Sequence, residues 1–178
     1  MPAFKVPSRD QVAPDAQAIF DQFQQSMGKM PNLYATIGYS ANALATYTQY
    51  VKGQVKNSFH ARDREGVYLI VSQLNGCEYC LASHTASAIK AGWKEEDTLQ
   101  VRAGTHPEKK WQVIYGIVRS AIENKGAVGD SLLSDFSSLG FNEGALIDLF
   151  VLINVMSFTN YIYRLTQIPI DFPAAKPI

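Results

Sequence analysis

The sequence is poor in cysteine and histidine and has no surplus charge of either sign. Only two cysteines, Cys77 and Cys80, and three histidines occur in 178 residues. A chain of this length buries its own core without staples and fits a single domain, 1–178, so neither cysteine is needed structurally. Lys+Arg and Asp+Glu each number 16, leaving no one-signed field to draw in nucleic acid or an anionic membrane surface. Residues Met1 to Asp10 contain two prolines and several charges but no apolar run of the kind an export signal needs. The most apolar stretch, Ala145 to Phe158, is interrupted by Asp148 and Asn154 and falls short of the roughly 20 residues of a membrane span. It reads as a buried helix. No internal repeat or low-complexity segment is present. Together these absences predict a cytoplasmic protein with no membrane and no nucleic-acid partner. In that compartment thiols are kept reduced, so a cysteine pair points to catalysis or metal binding.

What is present is helical periodicity. Ala16, Ile19, Phe20 and Phe23 share one face of a helix that should stop near Gly28, and Pro31 opens a short second element. Leu44, Tyr47, Tyr50 and Val51 mark another amphipathic helix from Asn42 to about Val55. Asp63 to Leu74 predicts an apolar helix stopped by Asn75-Gly76, and a new one should run from Cys77 to Gly92. Further helices are expected over Trp93 to Ala103, Pro107 to Asn124 with the proline in the first turn, Asp130 to Leu139 and Asn142 to Thr166. The runs Val67 to Val71 and Val151 to Val155 lack strict alternation, so the fold class is all-α. The proline-rich residues 169–178 are expected to form an extended arm rather than a packed element.

The chemistry concentrates near the middle of the chain. At about 100° per residue, Cys77, Cys80 and His84 project at roughly 0°, 300° and 340°, one face of one helix. Both cysteines fall in the first turn, where free N–H groups and the helix dipole favour thiolate. Glu65 lies on the preceding helix. If the two helices pack antiparallel across Asn75-Gly76, Glu65 meets the turn holding His84 sooner than it meets Cys77, which suggests a Glu65–His84 relay, directly or through a water.

Glu65, Ser72, Asn75-Gly76-Cys77-Glu78-Tyr79-Cys80 and His84 together resemble the AhpD alkylhydroperoxidase core, within the wider carboxymuconolactone decarboxylase-like family. The resemblance covers residues 62–92, with residues 1–60 forming N-terminal helices and 93–168 the remaining ones. It implies an AhpD-like helical bundle with the C-x-x-C at the start of a core helix. It also implies a thiol-dependent peroxidase that acts on hydrogen peroxide or alkyl hydroperoxides without a bound cofactor. In that scheme Cys80 becomes a sulfenic acid, Cys77 resolves it as a disulfide, and Glu65 and His84 move the protons. An external dithiol, lipoyl-type by resemblance, restores the thiols, and the resemblance also implies a trimer or hexamer. Self-association has a basis in the residues as well, because the stretch from Asn142 to Thr166 carries more apolar surface than a small bundle needs.

Other readings compete. C-x-x-C-x-x-x-H with Glu65 supplies up to four zinc ligands, though structural zinc sites usually draw on two separated knuckles. A disulfide-switched sensor would use the same cysteines, whereas carboxymuconolactone decarboxylation has no need of a dithiol. A thioredoxin-like enzyme would set its C-x-x-C after a strand. Tyr79 projects about 200° from Cys77, which suits packing or a subunit contact, and Ser72 and Asn75 have ordinary local explanations. His60 and His106, next to expected helix starts, read as surface or capping residues. Phe20, Phe23, Tyr47, Trp111, Tyr115 and Phe150 read as packing aromatics, from which a substrate pocket could borrow.

Overall fold

The computed structural model describes residues 4–178. Among them are nine α-helices and no strand: α1 (Pro14–Met27), α2 (Asn32–Ile37), α3 (Ala41–Gly53), α4 (Ala61–Leu74), α5 (Glu78–Lys90), α6 (Glu95–Ala103), α7 (Lys109–Glu123), α8 (Asp130–Ser138) and α9 (Glu143–Thr166). Short 3-10 turns cover Arg9–Gln11 and Gln54–Lys56. The two valine runs that could pass for strands lie inside α4 and α9.

Helix α4 is the hub. Every residue from Gly66 to Ser72 is buried, which a helix tolerates only when neighbours cover all its faces. Here α5, α6, α7 and α9 pack against it. Gly66 permits a close approach of the two indoles, since a Cβ there would sit 2.5 Å from a ring carbon of Trp111 and 2.7 Å from one of Trp93. On the other side α9 contributes Leu149, Leu152, Ile153, Val155 and Met156 to the core. At 24 residues, with mean hydropathy 1.6 over its most apolar 18-residue stretch, α9 is long and apolar enough to cross a bilayer by length and composition. The helix ends at Thr166, as its periodicity predicts, so it is longer than its most apolar stretch, Ala145 to Phe158. Its burial against α4 makes it the core helix of this bundle.

Three further expectations change. Pro107 stands outside α7, just before the N-cap residue Glu108, rather than in the first turn. His106 is 4% exposed instead of lying on the surface. Its Nδ1 does accept the Glu108 amide at 3.3 Å, as a capping group would, but the ring is enclosed by Trp93 and Trp111, with centroids 6.0 and 6.3 Å away. Residues 169–178 are extended, yet they are docked. Asp171 accepts from Lys29 Nζ at 2.9 Å and from the Tyr79 hydroxyl at 2.6 Å, and the Phe172 ring meets Tyr79 edge-on. Arg102 donates to the Lys176 carbonyl at 2.8 Å and Lys176 pairs with Glu95. A proline-rich composition fixes an extended path, but a few polar and aromatic anchors suffice to hold that path against the bundle.

Candidate active site

The site begins with the reversal between α4 and α5. Asn75 ends α4 in helical geometry, and Gly76 takes φ +63°, a left-handed conformation that glycine adopts without a Cβ penalty. The Cys77 N–H can then reach back to the Ser72 carbonyl at 2.9 Å, and Cys77 becomes the N-cap of α5. Its Sγ accepts the Cys80 backbone N–H at 3.2 Å, so a sulfur satisfies a donor that the helix leaves free. Behind this turn α9 supplies a polar brace. Asn160, fully buried, donates to Ser72 Oγ at 3.3 Å and accepts from Asn75 Nδ2 at 3.0 Å. Arg164 donates to the Asn75 carbonyl at 3.2 Å.

Cys77 and Cys80 are joined as a disulfide, their Cα atoms 5.3 Å apart. One helical turn further along, His84 Nδ1 lies 2.7 Å from Glu65 Oε2, so the contact is direct, with both side chains about one-fifth exposed. A carboxylate only accepts hydrogen bonds, which puts the ring proton on Nδ1 and leaves Nε2 as the acceptor of the neutral imidazole. The Tyr68 ring stacks obliquely on His84, centroids 5.0 Å apart.

Cys80 and His84 open onto a small cavity of about 30 Å³, bounded also by Leu33, Tyr34, Tyr47, Tyr79, Ser83 and Thr159. Cys77 does not border it. The volume accommodates a water-sized molecule and little more. Burial pushes Tyr47 up to about 12 and holds Tyr34, Tyr68 and Tyr79 well above the ordinary phenol value. Their hydroxyls therefore stay protonated, and no phenolate charge is added beside the cavity. Tyr79, placed away from the cysteine face by its helical angle, packs within the chain: its hydroxyl accepts the Leu33 amide at 3.2 Å and donates to Asp171. Even so, its ring borders the cavity.

All four site residues expected from the sequence thus converge on the α4–α5 pair. No cluster of three or more His, Cys, Asp or Glu side chains suited to a metal ion forms among the described residues. His60 lies exposed at the N-cap position of α4 and its side chain accepts no cap bond. Residues with no local signature complete the site: Tyr34 from α2, Tyr47 from α3, and Thr159 and Asn160 from α9. The available clue was a Thr-Asn pair inside the most apolar helix, where polar side chains need buried partners.

Residues 41–114 match the family model of the carboxymuconolactone decarboxylase family. Solved structures share the fold over nearly the whole chain. An uncharacterized peroxidase-related protein from Silicibacter sp. TM1040 superposes with a TM-score of 0.81 at 18% identity, covering 97% of this chain and 91% of its own. The alkylhydroperoxidase AhpD core of an uncharacterized peroxidase-related protein from Ralstonia eutropha JMP134 gives 0.84 at 15% identity, with 95% and 92% covered. The debrominase Bmp8 in complex with 2,3,4-tribromopyrrole gives 0.78 at 14% identity, with 96% and 92% covered. A comparison with curated proteins finds no match. The segment match and the shared architecture lead to one conclusion: residues 41–114 are similar to the carboxymuconolactone decarboxylase family, and the chain has the AhpD-like all-α fold.

Proposed function

We propose that the protein is a thiol-dependent peroxidase whose attacking sulfur belongs to Cys80. The observation that carries this reading is that Cys80 and His84 share a water-sized cavity from which Cys77 is absent. In the reduced protein, Nε2 of His84, the nitrogen left free by Glu65, takes the Cys80 thiol proton. The thiolate attacks one peroxide oxygen and the O–O bond breaks. The departing oxygen leaves as water or alcohol with the proton His84 returns, and Cys80 becomes a sulfenic acid. The Cys77 sulfur then attacks Cys80, water departs, and the disulfide forms.

An external dithiol closes the cycle by attacking Cys80, the sulfur on the cavity, and expelling Cys77. The Cys80 N–H that points at Cys77 Sγ makes Cys77 the better leaving group, because a hydrogen-bonded thiolate is the more stable one. We take that reductant to be of the lipoyl type, on the resemblance to AhpD. Enclosure favours hydrogen peroxide over bulky hydroperoxides, since 30 Å³ admits two oxygen atoms more readily than an alkyl chain.

A second reading, reductive dehalogenation of a small aromatic, draws on the debrominase sharing this fold and on the tyrosines bordering the cavity. It requires those tyrosines to move, because the present volume has no room for a substituted pyrrole. Titrating the reduced protein with one equivalent of hydrogen peroxide, and following both cysteines by mass spectrometry with a sulfenic-acid trap, tests the first reading. The expected result is rapid Cys77–Cys80 disulfide in the native protein and a trapped Cys80 sulfenic acid in Cys77→Ser. Full peroxide consumption by Cys80→Ser would overturn it. Inert cysteines together with thiol-dependent bromide release from a bromopyrrole would favour the second.

We further propose that the protein self-associates through α9. Ile147, Tyr161 and Leu165 are 65%, 59% and 63% exposed. With Val151, Asn154 and Phe158 they recur at alternating steps of four and three, the spacing of a helix–helix seam.

A further inference from the structure

A second cavity, of about 240 Å³, lies on the opposite side of α5 from the one bordered by Cys80 and His84. Glu78, Leu81 and Ala82 face it at roughly 40° to 140° around the helix, whereas Tyr79, Cys80, Ser83 and His84 occupy roughly 200° to 340°. Ile170 and residues 174–177 form its outer wall, and Arg102 of α6 borders it from within.

Arg102 is an unusual occupant. It is 3% exposed and has no ion-pair partner among the described residues. Nε donates to Gln73 Oε1 at 3.0 Å and Nη1 to the Lys176 carbonyl at 2.8 Å, both uncharged acceptors. Nη2 has no partner among the described residues, and neither does the second N–H of Nη1. Burial holds the guanidinium below its ordinary pKa, yet arginine remains charged in proteins. A buried charge without a counter-ion is costly and is ordinarily found paired. Two neighbouring charged groups are already accounted for: the Lys176 ammonium lies on Glu95 at 2.6 Å, and Glu78 is exposed in the first turn of α5.

We propose that this cavity binds a small organic carboxylate, its oxygens held by the free N–H groups of Arg102 and its hydrocarbon body against Leu81, Ala82, Ile170, Ala174 and Pro177. A guanidinium fork matches the two oxygens of a carboxylate. The apolar walls favour a ligand with an aliphatic body over a fully hydrated ion such as phosphate. The volume sets the size at a short chain of several carbons. The site is separate from the redox chemistry and does not rest on the peroxidase reading.

Hexanoate is the probe, with hexanol and inorganic phosphate as controls, followed by calorimetry and by NMR of the Leu81 and Ala174 methyl groups. The native protein is expected to bind one hexanoate saturably, at least ten-fold tighter than hexanol, with shifts at those methyls. Arg102→Gln should cost ten-fold or more for hexanoate and leave hexanol unchanged. Glu78→Gln should tighten hexanoate by removing the nearby like charge. Arg102 also anchors residues 170–177, so Ala175→Leu serves as a second variant: it narrows the cavity, keeps every Arg102 bond, and should abolish binding in a folded protein. Equal affinity for hexanol and hexanoate, unchanged binding in Arg102→Gln or in Ala175→Leu, phosphate binding in place of hexanoate, or no saturable binding would each overturn the proposal.

Discussion

Glu65 on α4 and His84 on α5 meet at 2.7 Å across the antiparallel pair that the Asn75-Gly76 turn creates. The bond fixes which ring nitrogen is free to face chemistry, because the carboxylate takes the Nδ1 proton. Glu65→Gln keeps the size but presents an amide able to donate as well as accept, so the tautomer is no longer dictated. The rate of peroxide-driven disulfide formation is expected to fall about 10²-fold, measured by stopped-flow on reduced protein. Combining it with His84→Gln should add little, since the two act through one proton path. Additive losses would show that they act separately.

The tyrosines around the cavity make alkaline stability a second test. Burial raises Tyr47 to about 12 in the folded protein, whereas in the unfolded chain it titrates near 10. The folded state therefore holds the proton more tightly. The contribution is fully present below about pH 10 and is lost as pH rises through about 12, at most about 3 kcal/mol. Urea titrations at rising pH should show this decline, accompanied by a further rise in phenolate absorbance on unfolding, above that of exposed tyrosines such as Tyr39 and Tyr161. Tyr47→Phe should flatten part of the slope.

Gly66→Ala is expected to destabilise the protein by about 1–3 kcal/mol, although alanine is the better helix former. The added methyl would sit 2.5 Å from Trp111 and 2.7 Å from Trp93, both buried rings in mutual contact. Chemical denaturation measures the loss. A stabilised Gly66→Ala would mean that the indoles have room to retreat.

The Tyr79–Asp171 bond ties residues 169–178 to the lining of the cavity bordered by Cys80 and His84. Asp171→Ala leaves the Tyr79 hydroxyl and the Lys29 ammonium without their acceptor, and a loss of about 1–3 kcal/mol is expected. Limited proteolysis with a protease of broad specificity should find cleavage within residues 169–178 accelerated, and hydrogen exchange should rise at Leu33, whose amide donates to that hydroxyl.

For the α9 seam, light scattering is expected to give a mass that is a multiple of 19.7 kDa. Leu165→Glu, which sets a charge on the exposed stripe, should release a folded monomer. A native monomer at micromolar concentration would remove the seam as an interface.

Much of this was legible from local pattern. The C-x-x-C at a helix start, the glycine turn before it and the i, i+4 step from Cys80 to His84 need only the chain's own periodicity. So do most helix limits, because stops such as Gly28 and caps such as Asn142 act within one turn. What stayed hidden depends on distant partners. His106 is buried only because Trp93 and Trp111 come together around it. Tyr47 and Thr159 face the cavity because α3 and α9 pack as they do, and no spacing within either helix reveals it. Residues 169–178 lack periodicity altogether, so their docking rests on single anchors such as Asp171 and Phe172. Pro107 shows the finer limit: a proline suits the first turn of a helix, yet it serves equally well one step before the cap.

The anchoring of Asp171 also sets an order of events. Tyr79 and Lys29 acquire their partner from 92 and 142 residues further along the chain. During synthesis from the N-terminus, the helices carrying the cysteines can form long before the residue that fixes the cavity wall has been made. The cavity bordered by Cys80 and His84 thus takes its final geometry only after Asp171 has emerged.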